Sequence, residues 1–242
     1  MRHSRLFLDT PLTVGQSLEL GAEAAHYLRT VLRLKKQQEL IVFNGQGNEY
    51  RAEVSLVSRK SVVIQVLSKQ IKDIESPLTI HLGLGISRSE RMDWAIQKSV
   101  ELGVCRITPL LTDRCVVKLT DDKRQLRLRH WQGIIQHAAE QSGRTRLPLL
   151  QPIQTLTDWV SEQTALCFFL DPYADKSLAT YTPEQHQVTL LSGPEGGFTD
   201  QERAYATEAG FIPVRLGPRI LRTETAALAA ISAIQSLWGD FS

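Results

Sequence analysis

The pattern of apolar and polar positions changes once along the chain. From Arg5 to about Leu67 the apolar runs are short and strand-like: RLFL, SLEL, ELIVFN, EYRAEVSLV and SVVIQVL, with a helical HYLRTVLRL after the second. Gly45-Gln46-Gly47-Asn48 lies between runs rich in Val, Ile, Phe and Tyr, which predicts a hairpin. Leu28, Val31, Leu32 and Leu34 make one apolar helical stripe. Residues 1–72 therefore read as a small β-barrel with one helix. The polar KQIKDIESP ends in Pro77 and beyond it strands alternate with helices, so the boundary falls near residues 72–76.

Residues 73–242 open with LTIHLGLGI, an apolar run suited to a strand buried on both faces. Ser87 and Glu90 have capping-box spacing ahead of a helix in which Met92, Ala95, Ile96, Ser99 and Val100 share one face, with Gly103 at its end. CRITPLL, ALCFFL, VTLLS and PVRL are further strands. Between them lie a long helix around Trp131 that ends at Gly143, a short one around Trp159, and one boxed by Thr199 and Glu202 that stops at Gly210. The final helix, Thr225 to Trp238, carries AALAAISAI and is apolar nearly all round, so it must be buried centrally or against a second subunit. This alternation predicts an α/β domain with a largely parallel sheet.

Composition narrows the class. Hydrophobic residues at 42% and charged residues at 22% exclude a disordered or fibrous chain. Asp9 interrupts the basic N-terminus before any export-type apolar stretch, and no run is long enough for a membrane span, so a cytoplasmic location is expected. Cys105, Cys115 and Cys167 form no CxxC pair and read as buried reduced thiols. Residues 1–72 hold 11 Lys+Arg against 6 Asp+Glu, whereas the remainder is net negative. A second basic excess within 114–146 comprises Arg114, Lys118, Lys123, Arg124, Arg127, Arg129, Arg144 and Arg146. Such clusters can follow a phosphate backbone, or form solvated helix faces.

Motifs for several chemistries are missing: there is no GxxxxGK[ST], GxSxG or HExxH, and the six histidines lack metal-ligand spacing, so no metal is implied. GLGISR has Arg88 where a dinucleotide fingerprint wants its third glycine. Two glycine-proline turns, GPEGGF from Gly193 and Gly217-Pro218-Arg219, each follow an apolar strand directly. In open α/β sheets ligands collect at such carboxyl ends. Loops of this kind bind through main-chain groups, which suits an adenine and a thioether flanked by Leu170, Leu216, Ile220 and Leu221. Taken alone, either motif is also read as a tight turn. Arg222-Thr223-Glu224-Thr225 adds ionisable and hydroxyl groups at the head of the apolar helix.

RMDWAIQKSVELGV, ITPL, Arg114, AAEQSGR, GPEGGF and LGPRILRTETA, in this order and spacing, resemble the RsmE family of SPOUT methyltransferases, which make N3-methyluridine in 16S ribosomal RNA. The resemblance covers nearly the whole chain, including HSRLFL at the start and a barrel similar to the family's PUA-like RNA-binding domain. It implies a C-terminal domain with a deep trefoil knot, which topology rules alone would not suggest, and a homodimer acting on 16S rRNA within the 30S subunit. The implied methyl donor is S-adenosylmethionine, with Leu170, Gly193, Glu195, Gly197, Leu216, Gly217, Ile220, Leu221 and Thr225 at cofactor-binding positions. Arg222 is the expected stabiliser of the uridine anion. Glu224 is either a base or, the preferred reading, the residue that fixes Arg222; Glu195 has the same ambiguity, with capping of its loop as the alternative. Arg5, Arg88 and Arg114 are placed to reach RNA phosphates or to form ion pairs, and Lys98 and Glu101 to pair with each other. Rival readings are a ribose or guanine methyltransferase of the same fold, or a non-catalytic RNA-binding protein.

Overall fold

A computed structural model describes residues 4–59, 61–115 and 120–241. Lys118, counted above in the basic cluster, lies outside the described residues. The chain divides into two compact units, one comprising residues up to Glu75 together with Ala139–Leu147, the other Ser76–Ala138 with the residues from Pro148 onward.

The first unit contains β1 (Ser4–Phe7), β2 (Ser17–Glu19), α1 (Ala22–His26), β3 (Glu39–Phe43), β4 (Asn48–Val57) and β5 (Val62–Ile71). Their order is β1-β3-β4-β5-β2, with β1 parallel to β3 and the other pairs antiparallel. Gly45 and Gly47 both take left-handed backbone in the β3–β4 turn, as the hairpin reading requires. Register shifts at Arg51/Ala52 and Val54/Leu56 mark bulges that bend the β4–β5 ribbon over its core. Alternate side chains, among them Leu40, Val42, Val54, Val62 and Ile64, are fully buried. The helical stripe is corrected: after α1 the chain winds as a π-turn over Tyr27–Val31, where Leu32 N–H bonds Tyr27 carbonyl. That wider turn takes Val31 to the surface while Leu28 stays buried.

The division differs from a single break at 72/73 because a segment read as part of the second domain is knitted into the first unit. Glu140 accepts from the Phe7 amide at 2.9 Å, and Arg144 forks onto Glu75 through Nε at 2.9 Å and Nη2 at 2.5 Å. Arg5 pairs with Glu49 and donates to the Arg144 carbonyl at 3.0 Å, while Lys72 reaches Glu49 at 3.3 Å. Glu49, Glu140 and Arg144 are all buried, so each needs its partners. Sequence periodicity carries no signal for a contact of this range.

The second unit contains β6 (Thr79–Gly85), α2 (Ser89–Glu101), β7 (Arg106–Leu111), α3 (Asp121–Ser142, whose last turn belongs to the first unit), β8 (Leu149–Leu150), β9 (Gln154–Thr155), α4 (Leu156–Ser161), β10 (Leu166–Leu170), β11 (Gln187–Ser192), α5 (Asp200–Glu208), β12 (Ile212–Val214) and α6 (Thr223–Trp238). The sheet runs β12-β10-β11-β6-β7-β8, with β9 beside β7, and every pair is parallel. The expected stripe of α2 is wholly buried. The Ser87–Glu90 capping box is not formed. Arg88 is the N-cap, and the Ser87 hydroxyl instead donates to the Gly85 carbonyl at 3.2 Å. Thr199 and Glu202 do make the box that starts α5. Buried Gln235 anchors α6 by donating to the Leu102 carbonyl at 2.9 Å and accepting from the Ser76 hydroxyl at 2.8 Å.

Candidate functional site

The carboxyl ends of β10, β11 and β12 open into one cavity of about 450 Å³. Most of its lining comes from three chain segments, Leu170 to Tyr173, Ser192 to Phe198 and Val214 to Thr223, with Arg91, Arg114, Arg203 and Ala226 completing it. The glycines of GLGISR explain how the middle loop is seated. A Cβ on Gly85 would stand 2.5 Å from the Pro194 nitrogen, so the bare strand is the floor on which the loop lies. Gly83 is bare because the Trp159 ring lies over it, with a Cβ placed 2.3 Å from that ring. Both glycines serve packing, not a nucleotide fingerprint. Gly197 and Gly217 have positive φ, +66° and +78°, which the turns demand. The Thr223 hydroxyl donates to the Gly193 carbonyl, binding the head of α6 to the middle loop. Arg114 donates to the Gly196 carbonyl at 3.0 Å.

Around this backbone-lined floor stand Arg91, Arg114, Arg203, Arg215, Arg219 and Arg222, opposed within the lining by Asp171 and Glu195 alone. Such an excess of guanidinium favours an anion. Glu195 is committed to structure: its Oε1 accepts the Arg88 amide at 3.0 Å and lies 3.4 Å from Arg91 Nη1. Burial pushes its proton affinity up, but the Arg88 amide, its own amide and the Arg91 charge outweigh that and hold it below the ordinary carboxylate range. It is therefore a carboxylate that ties the glycine-rich loop to the start of α2.

A family model described as an RNA methyltransferase domain matches residues 74–235, and one described as an RNA methyltransferase PUA domain matches residues 20–67. The ribosomal RNA small subunit methyltransferase E of Buchnera aphidicola from Schizaphis graminum is 38% identical over 100% of this chain and 99% of its own. This chain belongs to the ribosomal RNA small subunit methyltransferase E family. The solved structure of the family enzyme from Neisseria gonorrhoeae, bound to S-adenosylmethionine, matches with TM-score 0.93 at 37% identity, with all of both chains covered. A Legionella pneumophila protein assigned as a methyltransferase and solved with bound cofactor SAM matches with TM-score 0.97 at 40% identity, again over both whole chains. The second unit has the SPOUT-type fold, with its parallel sheet, and the first the PUA-like fold.

Against the residues expected from the methyltransferase E resemblance, the cavity gathers Leu170, Gly193, Glu195, Gly197, Leu216, Gly217, Ile220, Leu221, Arg222 and Arg114. Thr225 is not among them. It is exposed on the opposite side of the first turn of α6, and Thr223 lines the cavity in its place. Glu224 is buried outside the lining, and no ion pair joins it to Arg222 among the described residues, so the structure gives no support to its fixing that guanidinium. Arg5 is held in the first unit's internal network, its guanidinium 4.9 Å over the Phe43 ring, so it is not a free phosphate ligand. Arg88 exposes its side chain and uses its amide on Glu195. Lys98 and Glu101 form their pair at 2.8 Å. Cys167 is buried and its thiol is pushed up to about 11 by that burial, whereas Cys105 and Cys115 are only half-buried. Sequence reading missed Arg203, Arg215 and Tyr173, and gave no individual role to Arg91, Arg219 and Thr223, which lie within motifs it singled out. Arg219 and Thr223 were legible as parts of the glycine-proline motif, but Arg203 sits on a helix whose polar residues look merely solvated.

Proposed function

We propose that this protein methylates N3 of a uridine in the 16S RNA of the small ribosomal subunit, using S-adenosylmethionine, and that it acts in the cytoplasm on the 30S subunit as a homodimer. The observation that carries the reading is one cavity with a main-chain and apolar floor and an arginine rim. The floor fits the cofactor: about 450 Å³ lies within the range of small-molecule sites, the glycine turns present amides and carbonyls, and Leu170, Leu216 and Leu221 offer apolar walls. When bound, the cofactor supplies an electrophilic sulfonium methyl. Gly193, Gly197, Leu216, Gly217, Ile220 and Leu221 are the residues assigned to hold it. The rim carries more positive charge than a cofactor that is itself net cationic can use, and the polyanionic RNA is what such a rim attracts.

Uridine N3 bears a proton at neutral pH, so its attack requires loss of that proton or stabilisation of the anion that replaces it. Arg222 lines the cavity at the head of α6. A guanidinium is no general base, but the planar fork of Arg222 can donate hydrogen bonds to the uracil oxygens as charge builds on them. Arg114 stands beside the Gly193–Gly197 loop, where it meets an RNA phosphate. The first unit, residues up to Glu75 with Ala139–Leu147, is the PUA-like RNA-recognition part and the second unit the methyl-transfer part. The dimer reading is supported by α6, on which Leu228 is half-buried and Leu237 is 44% exposed beside a face already packed in its own chain. The test is transfer of label from S-adenosylmethionine to unmodified 30S subunits, with free 16S RNA in parallel. Label entering RNA on either substrate supports the activity. Bound cofactor with no label in either RNA overturns it.

A further inference from the structure

Tyr173 lies on the cavity wall immediately after β10 and is 71% exposed, an unusual state for an aromatic ring that is also held in place. The Arg203 guanidinium carbon lies 5.2 Å from the centroid of its ring. That guanidinium is tethered to Asp171 Oδ2 at 3.8 Å, while Asp171 Oδ1 accepts the Tyr173 amide at 2.9 Å. Asp171 is itself fixed, since its amide donates to the Val214 carbonyl at 3.0 Å, across the ends of β10 and β12. One carboxylate therefore positions both the backbone of the tyrosine and the cation against its ring. The ring's remaining surface is open at the mouth of a cavity rimmed with arginines, so much of the cost of ordering it is met before anything binds.

We propose that Tyr173 is a stacking plate for an unpaired base of the substrate RNA that neighbours the base entering the cavity. Single-stranded RNA is recognised by laying splayed bases on aromatic faces while cations follow the phosphates, and the mouth of this cavity supplies both. Cofactor adenine is the less suitable occupant. The apolar walls that suit it, Leu170, Leu216 and Leu221, are half-buried, whereas the tyrosine faces solvent. The proposal rests on the reading of the cavity as an RNA methyl-transfer site.

The test compares Tyr173→Ala, Tyr173→Leu and Tyr173→Phe in steady-state methylation of whichever RNA substrate the wild-type protein modifies. The affinity of each variant for S-adenosylmethionine is measured by calorimetry and its oligomeric state by sedimentation. Loss of one stacked base weakens RNA binding roughly tenfold or more. Tyr173→Ala should therefore raise the KM for RNA by about that factor with kcat and cofactor affinity unchanged. Tyr173→Phe, which keeps the aromatic face, should match wild type. Tyr173→Leu keeps bulk without the face and should resemble the alanine variant. An unchanged KM in Tyr173→Ala overturns the proposal, as does rescue by Tyr173→Leu. A parallel loss of cofactor affinity assigns the ring to the cofactor, and a change of assembly assigns it to a subunit contact; either overturns it. A wild-type protein that methylates no RNA overturns the underlying reading together with the plate, whereas an active wild type with an indifferent alanine variant overturns the plate alone.

Discussion

Gly85→Ala offers a sharp perturbation of the site from outside it. Gly85 ends β6 and does not line the cavity, yet a Cβ there would stand 2.5 Å from the nitrogen and 2.6 Å from Cδ of Pro194, and 2.9 Å from the Gly193 carbonyl carbon. Ordinary carbon contacts are about 3.5–4.0 Å, so either β6 or the loop must shift by about 1 Å. Overpacking of this kind costs roughly 1–3 kcal/mol. The strand is central to the sheet, paired to β11 on one side and β7 on the other, so the loop is the part that yields. A misplacement of about 1 Å can reduce turnover about 100-fold. S-adenosylmethionine affinity should fall at least about tenfold, equivalent to about 1.4 kcal/mol. Calorimetric titration measures this, with thermal melting to show that the fold persists. Gly83→Ala is the control. Its Cβ would meet the buried Trp159 ring at 2.3 Å, away from the cavity, so it should lower the melting temperature and leave cofactor affinity of the folded protein within about twofold. Gly85→Ala with wild-type cofactor affinity would refute the claim that this strand seats the loop.

Arg222→Ala should abolish turnover while cofactor affinity stays within about tenfold, because the guanidinium is assigned to charge on the uracil; lost cofactor binding in a folded variant removes that role. Glu49→Ala leaves the Arg5 guanidinium buried without its carboxylate and should destabilise the protein by about 3 kcal/mol in urea unfolding; a change below about 0.5 kcal/mol contradicts the structural reading of Arg5. His81 should make the protein acid-sensitive. Burial and then the Arg106 charge push its imidazole down from 6.5 to about 4, so between those values the unfolded chain binds a proton that the folded one refuses. Stability therefore falls as pH drops through that window, by about 3 kcal/mol at most, and is unaffected by this group above it. His81→Gln should flatten that dependence, as equilibrium unfolding at pH 7 and pH 4.5 will show; equal slopes in both proteins contradict the assignment.

Local signals carried much of the architecture into view. The β3–β4 hairpin, the buried stripe of α2 and the Thr199 box of α5 each follow from residues within a few positions of one another. The two glycine-proline turns were legible as ligand loops because each follows an apolar strand directly. What escaped sequence reading depends on contacts between distant segments. The Ser87 box failed because Gly85 draws that hydroxyl while Glu195, from a remote loop, takes the Arg88 amide. The ion-pair reading of Arg5 had no legible partner, because Glu49 and Arg144 reach it only in the folded unit. Thr225 was misplaced for a simpler reason: two steps along a helix turn a side chain by about 200°, away from the wall that Thr223 faces. The glycines of GLGISR looked like a weak nucleotide motif, and only the packing of Trp159 and Pro194 explains them.

The central claim is the atom methylated. Purified protein, labelled S-adenosylmethionine and unmodified 30S subunits should be incubated together, the RNA digested to nucleosides, and the labelled product identified by chromatography and mass spectrometry. The account predicts N3-methyluridine as the labelled product. A label found instead on a ribose 2′-hydroxyl or on guanine would contradict it, because the role given to Arg222 is to hold the charge of a uridine that has lost its N3 proton.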